Sequence, residues 1–177
     1  NWEHLPVRYH GRASTIVVCG TPVIRSKGQF KTSKNDALPT FGPTQSLDYE
    51  LELAFVIGKN SKIGEAIAIE KTEEYIFGFV LFNDWSARDI QSWEYVPLGP
   101  FLSKNFMSSM SPWIITTEAL AYYKTKGPAQ DVQVLPYLRF EGDANYDIEL
   151  EIELQPEGEQ ATRISRTNFK HLYWNVR

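Results

Sequence analysis

Glu50 and Glu52 are two apart in the apolar run 47–57. On a strand, that spacing sends both carboxylates to one face. Two carboxylates on one face can chelate a hard cation such as Mg²⁺ or Ca²⁺, which prefers oxygen ligands. The alternative is a solvated strand face, and the sequence carries its own control. Glu149, Glu151 and Glu153 repeat the pattern but run into the surface turn Gln155-Pro-Glu-Gly158. Residues 53–57 are instead apolar on both faces. They predict a strand buried on both sides, with Glu50 and Glu52 turned inward. Paired buried carboxylates call for a cation or donors to neutralise them.

A third carboxylate, Asp84, follows the run 79–82, apolar on both faces and so expected to be a buried strand, and precedes a helical pattern over 85–93. Asp84 is a candidate third ligand at a strand-to-helix junction, a common ligand position. It is equally a candidate helix N-cap. Arg88, Gln91 and Tyr95 recur at i, i+3 and i+7, so on a helix they share a face. A guanidinium, an amide and a phenol there can clamp a carboxylate or an oxyanion, or simply face solvent. Lys104, in the apolar loop 99–106, either snorkels outward or points at a site anion. Tyr9 and His10 form a second polar-aromatic cluster, with His10 either a general base or a hydrogen-bonded structural residue. No Ser-His-Asp order, phosphate-binding glycine loop or two-cysteine zinc motif is present.

The elements that must position these groups read as mostly strands. Strand candidates are 15–19, 47–57, 79–82, 112–118, 133–140 and 147–154, with long loops and a hairpin in 20–46. Helical candidates are 70–76, capped by Thr72, and 85–93, with Ser86 and Asp89 at capping-box spacing. Phe169, Leu172, Tyr173 and Val176 match one helix face and point to a chain that continues past Arg177. The expectation is a mainly β (α+β) domain, a roll or sandwich of mixed sheets with a few short helices. The lone Cys19, in an apolar run, reads as a buried structural thiol.

A net charge of −4 with no basic stripe argues against nucleic acid or an anionic membrane as partner. No apolar run approaches the ~20 residues of a membrane helix.

Four segments carry a resemblance: 5–14, 47–55, 76–91 (Ile-Phe-Gly-Phe-Val-Leu-Phe-Asn-Asp-Trp-Ser-Ala-Arg-Asp-Ile-Gln) and 93–101 with Lys104. The tail 168–174 also fits. Together they resemble the fumarylacetoacetate hydrolase family over essentially the whole chain. The resemblance implies a β-roll, a cytoplasmic homodimer, and hydrolysis of the small diketo acid 4-fumarylacetoacetate to fumarate and acetoacetate, the last step of tyrosine and phenylalanine catabolism. It implies Glu50, Glu52 and Asp84 as ligands of a catalytic Ca²⁺, and Tyr9, Arg88, Gln91 and Tyr95 as substrate contacts. Lys104 would stabilise charge, with Arg88 and Gln91 assisting catalysis. Lys104 would also border a Mg²⁺ site shared with Asp84, where Ser108 stands in place of the usual threonine. Residues 1–177 would then be one partial catalytic domain. An SH3-like domain, the water-activating histidine and a further Asp ligand would precede it, and a glutamate would follow it. The rival readings are an acylpyruvate hydrolase or oxaloacetate decarboxylase of the same superfamily, and a noncatalytic calcium-binding β module.

Overall fold

The computed structural model describes residues 1–177. Its strands are β1 (Ile16–Val18), β2 (Lys27–Phe30), β3 (Thr40–Pro43), β4 (Leu47–Asp48), β5 (Leu51–Ile57), β6 (Ile76–Asp84) and β7 (Ser86–Ala87). After the single α-helix, α1 (Arg88–Glu94), come β8 (Ser108–Met110), β9 (Ile115–Thr116), β10 (Lys124–Thr125), β11 (Asn145–Tyr146), β12 (Glu149–Leu154) and β13 (Thr162–Asn168). The chain is therefore mainly β, and its remaining helical turns are short 3₁₀ segments. No helix is long and apolar enough to cross a membrane.

The residues group into two compact units. One comprises 8–54 and 80–114, and it holds every candidate site residue. Here β1 runs parallel to β8, and β8 runs antiparallel to the end of β6, with Asp84 opposite Ser108. The two-residue strands β4 and β7 pair, setting Asp48 opposite Ser86. The hairpin β2–β3 supports α1: Phe30, Ala87 and Ile90 form a buried cluster with Phe106 packed against it. Gly28 is required where β2 meets α1, since a Cβ there would fall 2.8 Å from Ile90 Cγ2.

The other unit comprises 1–7, 55–79 and 115–177. Its core includes Ile76, Phe79, Leu120, Tyr146 and Leu150, with the Phe79 and Tyr146 rings edge-to-face at 5.2 Å. The β12–β13 hairpin presents Glu149, Glu151 and Glu153 outward. Arg166 and Arg163 meet the first two of these glutamates. The strand face expected to be solvated is solvated.

Several local expectations are corrected. The strand over 47–57 breaks at Tyr49–Glu50, where Glu50 N–H donates to the Asn83 side chain. Phe55 and Ile57 are exposed, as are Phe77 and Leu81, so neither apolar run is buried on both faces. Apolar residues on both faces raise the incentive for burial, but a covering layer must still come from elsewhere. Thr72 lies inside the 3₁₀ segment Ile69–Tyr75 rather than capping it. Ser86 is a strand residue whose hydroxyl donates to Asp84 O, and α1 starts at Arg88 without a side-chain cap. Asp84 ends β6 and is not an N-cap.

Within 133–140, Pro136 opens a 3₁₀ turn, Pro136–Leu138, in place of a strand. The expected C-terminal helix is reduced to Phe169–His171. There the Asn145 amide takes the carbonyls of Lys170 and Leu172, acceptors that a continuing helix would need. Cys19 is exposed, because β1 ends at Val18 and the chain turns through Gly20 at positive φ.

Candidate metal centre

Strands β4, β5 and β6, helix α1 and the loop carrying Lys104 bring the charged groups together. Leu51 begins β5, so Glu50 and Glu52 lie at its start and alternate with Leu51. Asp84 is the last residue of β6, and its N–H donates to Glu50 O at 3.2 Å. That backbone bond fixes the two acidic segments side by side. The carboxylates of Glu50, Glu52 and Asp84 each offer an oxygen, and these oxygens all lie within 4.8 Å of one another. The convergence read from sequence is present. The burial argument behind it holds only in part: Asp84 is buried and Glu50 half-buried, but Glu52 is exposed.

Asp84 is the most heavily bonded member. Its Oδ2 accepts from the Tyr9 phenol and, at 3.2 Å, from Lys104 Nζ, while Oδ1 accepts from Ser108 Oγ at 3.0 Å. Lys104 is 3% exposed and also pairs with Glu50 Oε2 at 2.5 Å, so it points at the site rather than snorkelling to solvent. Arg88, the first residue of α1, reaches Glu50 Oε1 at 2.8 Å and Asp48 Oδ2 at 2.9 Å. Gln91 accepts from Arg88 at 3.4 Å, one helical turn on. Tyr95 lies just past the end of α1, is 55% exposed and joins none of these bonds. His10 is also exposed and joins none of them.

The electrostatics are uneven. Burial pushes the Glu50 carboxyl up, but Lys104 and Arg88 outweigh it and hold the group below its usual range. Glu52 has no such partner. Desolvation raises it first, and the neighbouring Asp84 and Glu50 charges raise it further. Tyr9 is raised by burial and then by its bond to Asp84, so its phenol stays protonated and donates. The Arg88 guanidinium holds the half-buried Asp48 low.

Four carboxylates (Asp48, Glu50, Glu52, Asp84) thus face two fixed cations (Arg88, Lys104), leaving an excess of two negative charges. A donor set made of oxygen with that excess fits a hard divalent cation. Two contributors were not visible in the sequence. Asp48 lies on a two-residue strand and Asn83 bonds through its side chain to a backbone N–H. Neither belongs to a periodic pattern.

The family model described as fumarylacetoacetate hydrolase C-terminal matches residues 1–177. The chain belongs to the fumarylacetoacetate hydrolase family. Over 178 residues it is 53% identical to the fumarylacetoacetase of Dictyostelium discoideum. Over 177 residues it is 51% identical to that of Rattus norvegicus and 50% to that of Homo sapiens. Each alignment takes in 99% of this chain but 42% of the relative, so the chain spans less than half the length of these hydrolases. A solved 5-carboxymethyl-2-hydroxymuconate delta-isomerase from Mycobacterium smegmatis aligns with 54% of the chain at 22% identity and a TM-score of 0.35, too remote to inform the site. Within this hydrolase family, a mainly β chain with an acidic cluster between β5 and β6 is the framework on which function must be read.

Proposed function

We propose that this chain is the central part of the catalytic domain of a fumarylacetoacetase, built as a β-roll. The enzyme adds water across a carbon–carbon bond of 4-fumarylacetoacetate, releasing fumarate and acetoacetate in tyrosine and phenylalanine breakdown. Support comes from the family match over 1–177 and from about half-identity to three fumarylacetoacetases. The observation that carries the reading is Lys104: a buried ammonium bonded to both Glu50 and Asp84, with Arg88 on the other oxygen of Glu50. A noncatalytic cation-binding module has no use for two cations packed against its own carboxylates.

Glu50, Glu52 and Asp84 would hold the divalent cation, Ca²⁺ in this reading. Lys104, Asp84 and Ser108 would border a second site for Mg²⁺, supported by the Ser108 Oγ to Asp84 bond. A bound cation supplies Lewis-acid polarisation of the diketo oxygens. The chain's own groups do the rest. Arg88, with Gln91 behind it, presents N–H donors to a substrate oxygen and sets its orientation. Lys104 places a fixed positive charge where the departing acetoacetate enolate develops negative charge. Tyr9 and Tyr95 offer phenols to the substrate, Tyr9 from its position on Asp84. The water adds to the carbonyl carbon, the carbon–carbon bond breaks, and the enolate carbon takes up a proton. His10 takes no part in the cluster and is not the base for this water. The working enzyme is a cytoplasmic homodimer.

Product analysis tests the reading. A full-length enzyme given 4-fumarylacetoacetate with Mg²⁺ or Ca²⁺ yields fumarate and acetoacetate, and it turns over an acylpyruvate or oxaloacetate poorly. Preferred turnover of either of the latter would move it to another activity of the superfamily.

A further inference from the structure

The loop that carries Lys104 is bonded to a carboxylate at the far end of α1. Glu94 is the last residue of α1. A carboxylate there opposes the helix dipole, whose C-terminal end is negative. Its oxygens are occupied elsewhere: Oε1 accepts from the backbone N–H of Phe101 and of Ser103, both at 2.8 Å, and Oε2 from Leu102 N–H at 3.2 Å. Three successive amides close around one carboxylate, and bonds of this charge-assisted kind are the strong ones. Burial pushes the Glu94 carboxyl up, yet the donors of Ser103, Phe101 and Leu102 outweigh it and keep it ionised.

The carbonyls of the same loop are tied down as well. Leu102 O accepts from Ser26 Oγ at 2.7 Å, and Ser103 O from Ala87 N–H at 2.9 Å. Ser103 is fully buried, and Lys104 follows it directly into the carboxylate cluster. Helix α1 therefore touches the site at both ends, through Arg88 at its start and through Glu94 and the 101–103 loop at its finish.

We infer that Glu94 is a positioning residue that fixes Lys104 Nζ against Glu50 and Asp84 by clasping the three amides before it. This rests on the role proposed above for Lys104. Glu94→Gln keeps size and one acceptor oxygen but turns the other oxygen into an NH₂ that meets an N–H. In the full-length enzyme with Mg²⁺ or Ca²⁺ and 4-fumarylacetoacetate, kcat falls about 10- to 100-fold, the scale of an ångström-sized misplacement, while KM stays within about twofold. In a Lys104→Ala background the same change costs less than about twofold, because the group being aimed is gone. Losses that multiply, or an unchanged kcat in Glu94→Gln, would overturn the inference. Wild-type turnover of Lys104→Ala alone would instead overturn the reading of Lys104, and the inference with it.

A second readout needs no turnover. Lysine acetylation followed by peptide mass spectrometry finds Lys104 protected in the wild type, where its side chain is 2% exposed. In Glu94→Gln its labelling rises at least about fivefold, as expected for local opening of the 101–104 loop, while Lys124 labels as before. Should that variant fail to fold, Glu94→Asp keeps the charge, shortens the reach and gives the same rise to a smaller degree. Unchanged protection of Lys104 in a folded variant of either kind contradicts the positioning role.

Discussion

Asp84 accepts from Tyr9, Lys104 and Ser108, so its two oxygens tie three polar side chains of the site together. Removing it takes away one of the three converging carboxylates and leaves Lys104 with Glu50 as its remaining partner. Asp84→Ala therefore weakens divalent-cation binding by at least about 100-fold in a calorimetric titration, since losing even a residue that only hydrogen-bonds to a ligand costs about 10- to 100-fold. Unchanged affinity would remove Asp84 from the ligand set. At this scale the sequence was informative where a residue's role follows from its neighbours in the chain. Glu50 and Glu52 flank Leu51 at the start of β5 and converge as alternation leads one to expect, and Arg88 meets Gln91 because helices repeat every three to four residues. It was silent on Asp48 and Glu94, whose partners are a helix 40 residues away and a row of backbone amides. Backbone donors carry no side-chain signature.

Helix α1 has only seven residues, too few to be stable alone, so it depends on what it packs against. Ile90, 1% exposed, seats it on Phe30 and on the bare backbone of Gly28. Ile90→Ala is expected to destabilise by about 2–4 kcal/mol, read by denaturant titration, and to lower activity through Arg88 and the 101–104 loop. Glu151→Ala on β12 is the contrast. Its salt bridge with Arg163 is at the surface, so stability stays within about 0.5 kcal/mol and activity is unaffected. Equal losses from both would contradict this division of labour. The alternation of 149–154 revealed β12 directly, since one face is wet. The helix boundary was misplaced because Ser86 and Asp89 have capping-box spacing, yet Asp89 is drawn to the Thr44 hydroxyl and Gln45 N–H and Ser86 to Asp84 O. Long-range partners won over local capping. The C-terminal turn failed for a similar reason, through Asn145.

Across the molecule, most shifted carboxylates move in one direction. Asp48, Glu50, Glu73, Glu94 and Asp147 are all held below their usual range, and Glu52 alone is raised. A depressed group contributes stability that is present above its unfolded pKa and lost as pH falls through its folded value. Glu52 works in the opposite sense, favouring the fold at low pH and losing that contribution as pH rises through its raised value. The depressed groups outnumber it, so stability falls on acidification below the ordinary carboxylate range. Glu73 is the clearest single case. Burial pushes it up, but Lys124 at 2.8 Å and Arg177 at 2.6 Å outweigh that. Glu73→Gln should flatten the acid limb of a stability-versus-pH curve, and an unaltered limb would remove this network from the acid response. The mainly β class was legible at this scale from strand-length apolar runs. The exposure of Phe55, Ile57, Phe77 and Leu81 was not, because a sequence records which residues favour burial and not what covers them.

Carboxylates from the start of β5 and the end of β6 converge on one point in space, where they would hold a divalent cation. Anomalous diffraction from crystals of the full-length enzyme grown with Mn²⁺ locates that ion directly. The account predicts a peak within about 2.0–2.6 Å of oxygens from Glu50, Glu52 and Asp84 together, the range for hard-cation coordination. A peak elsewhere, or one touching Asp84 without both glutamates, would contradict it.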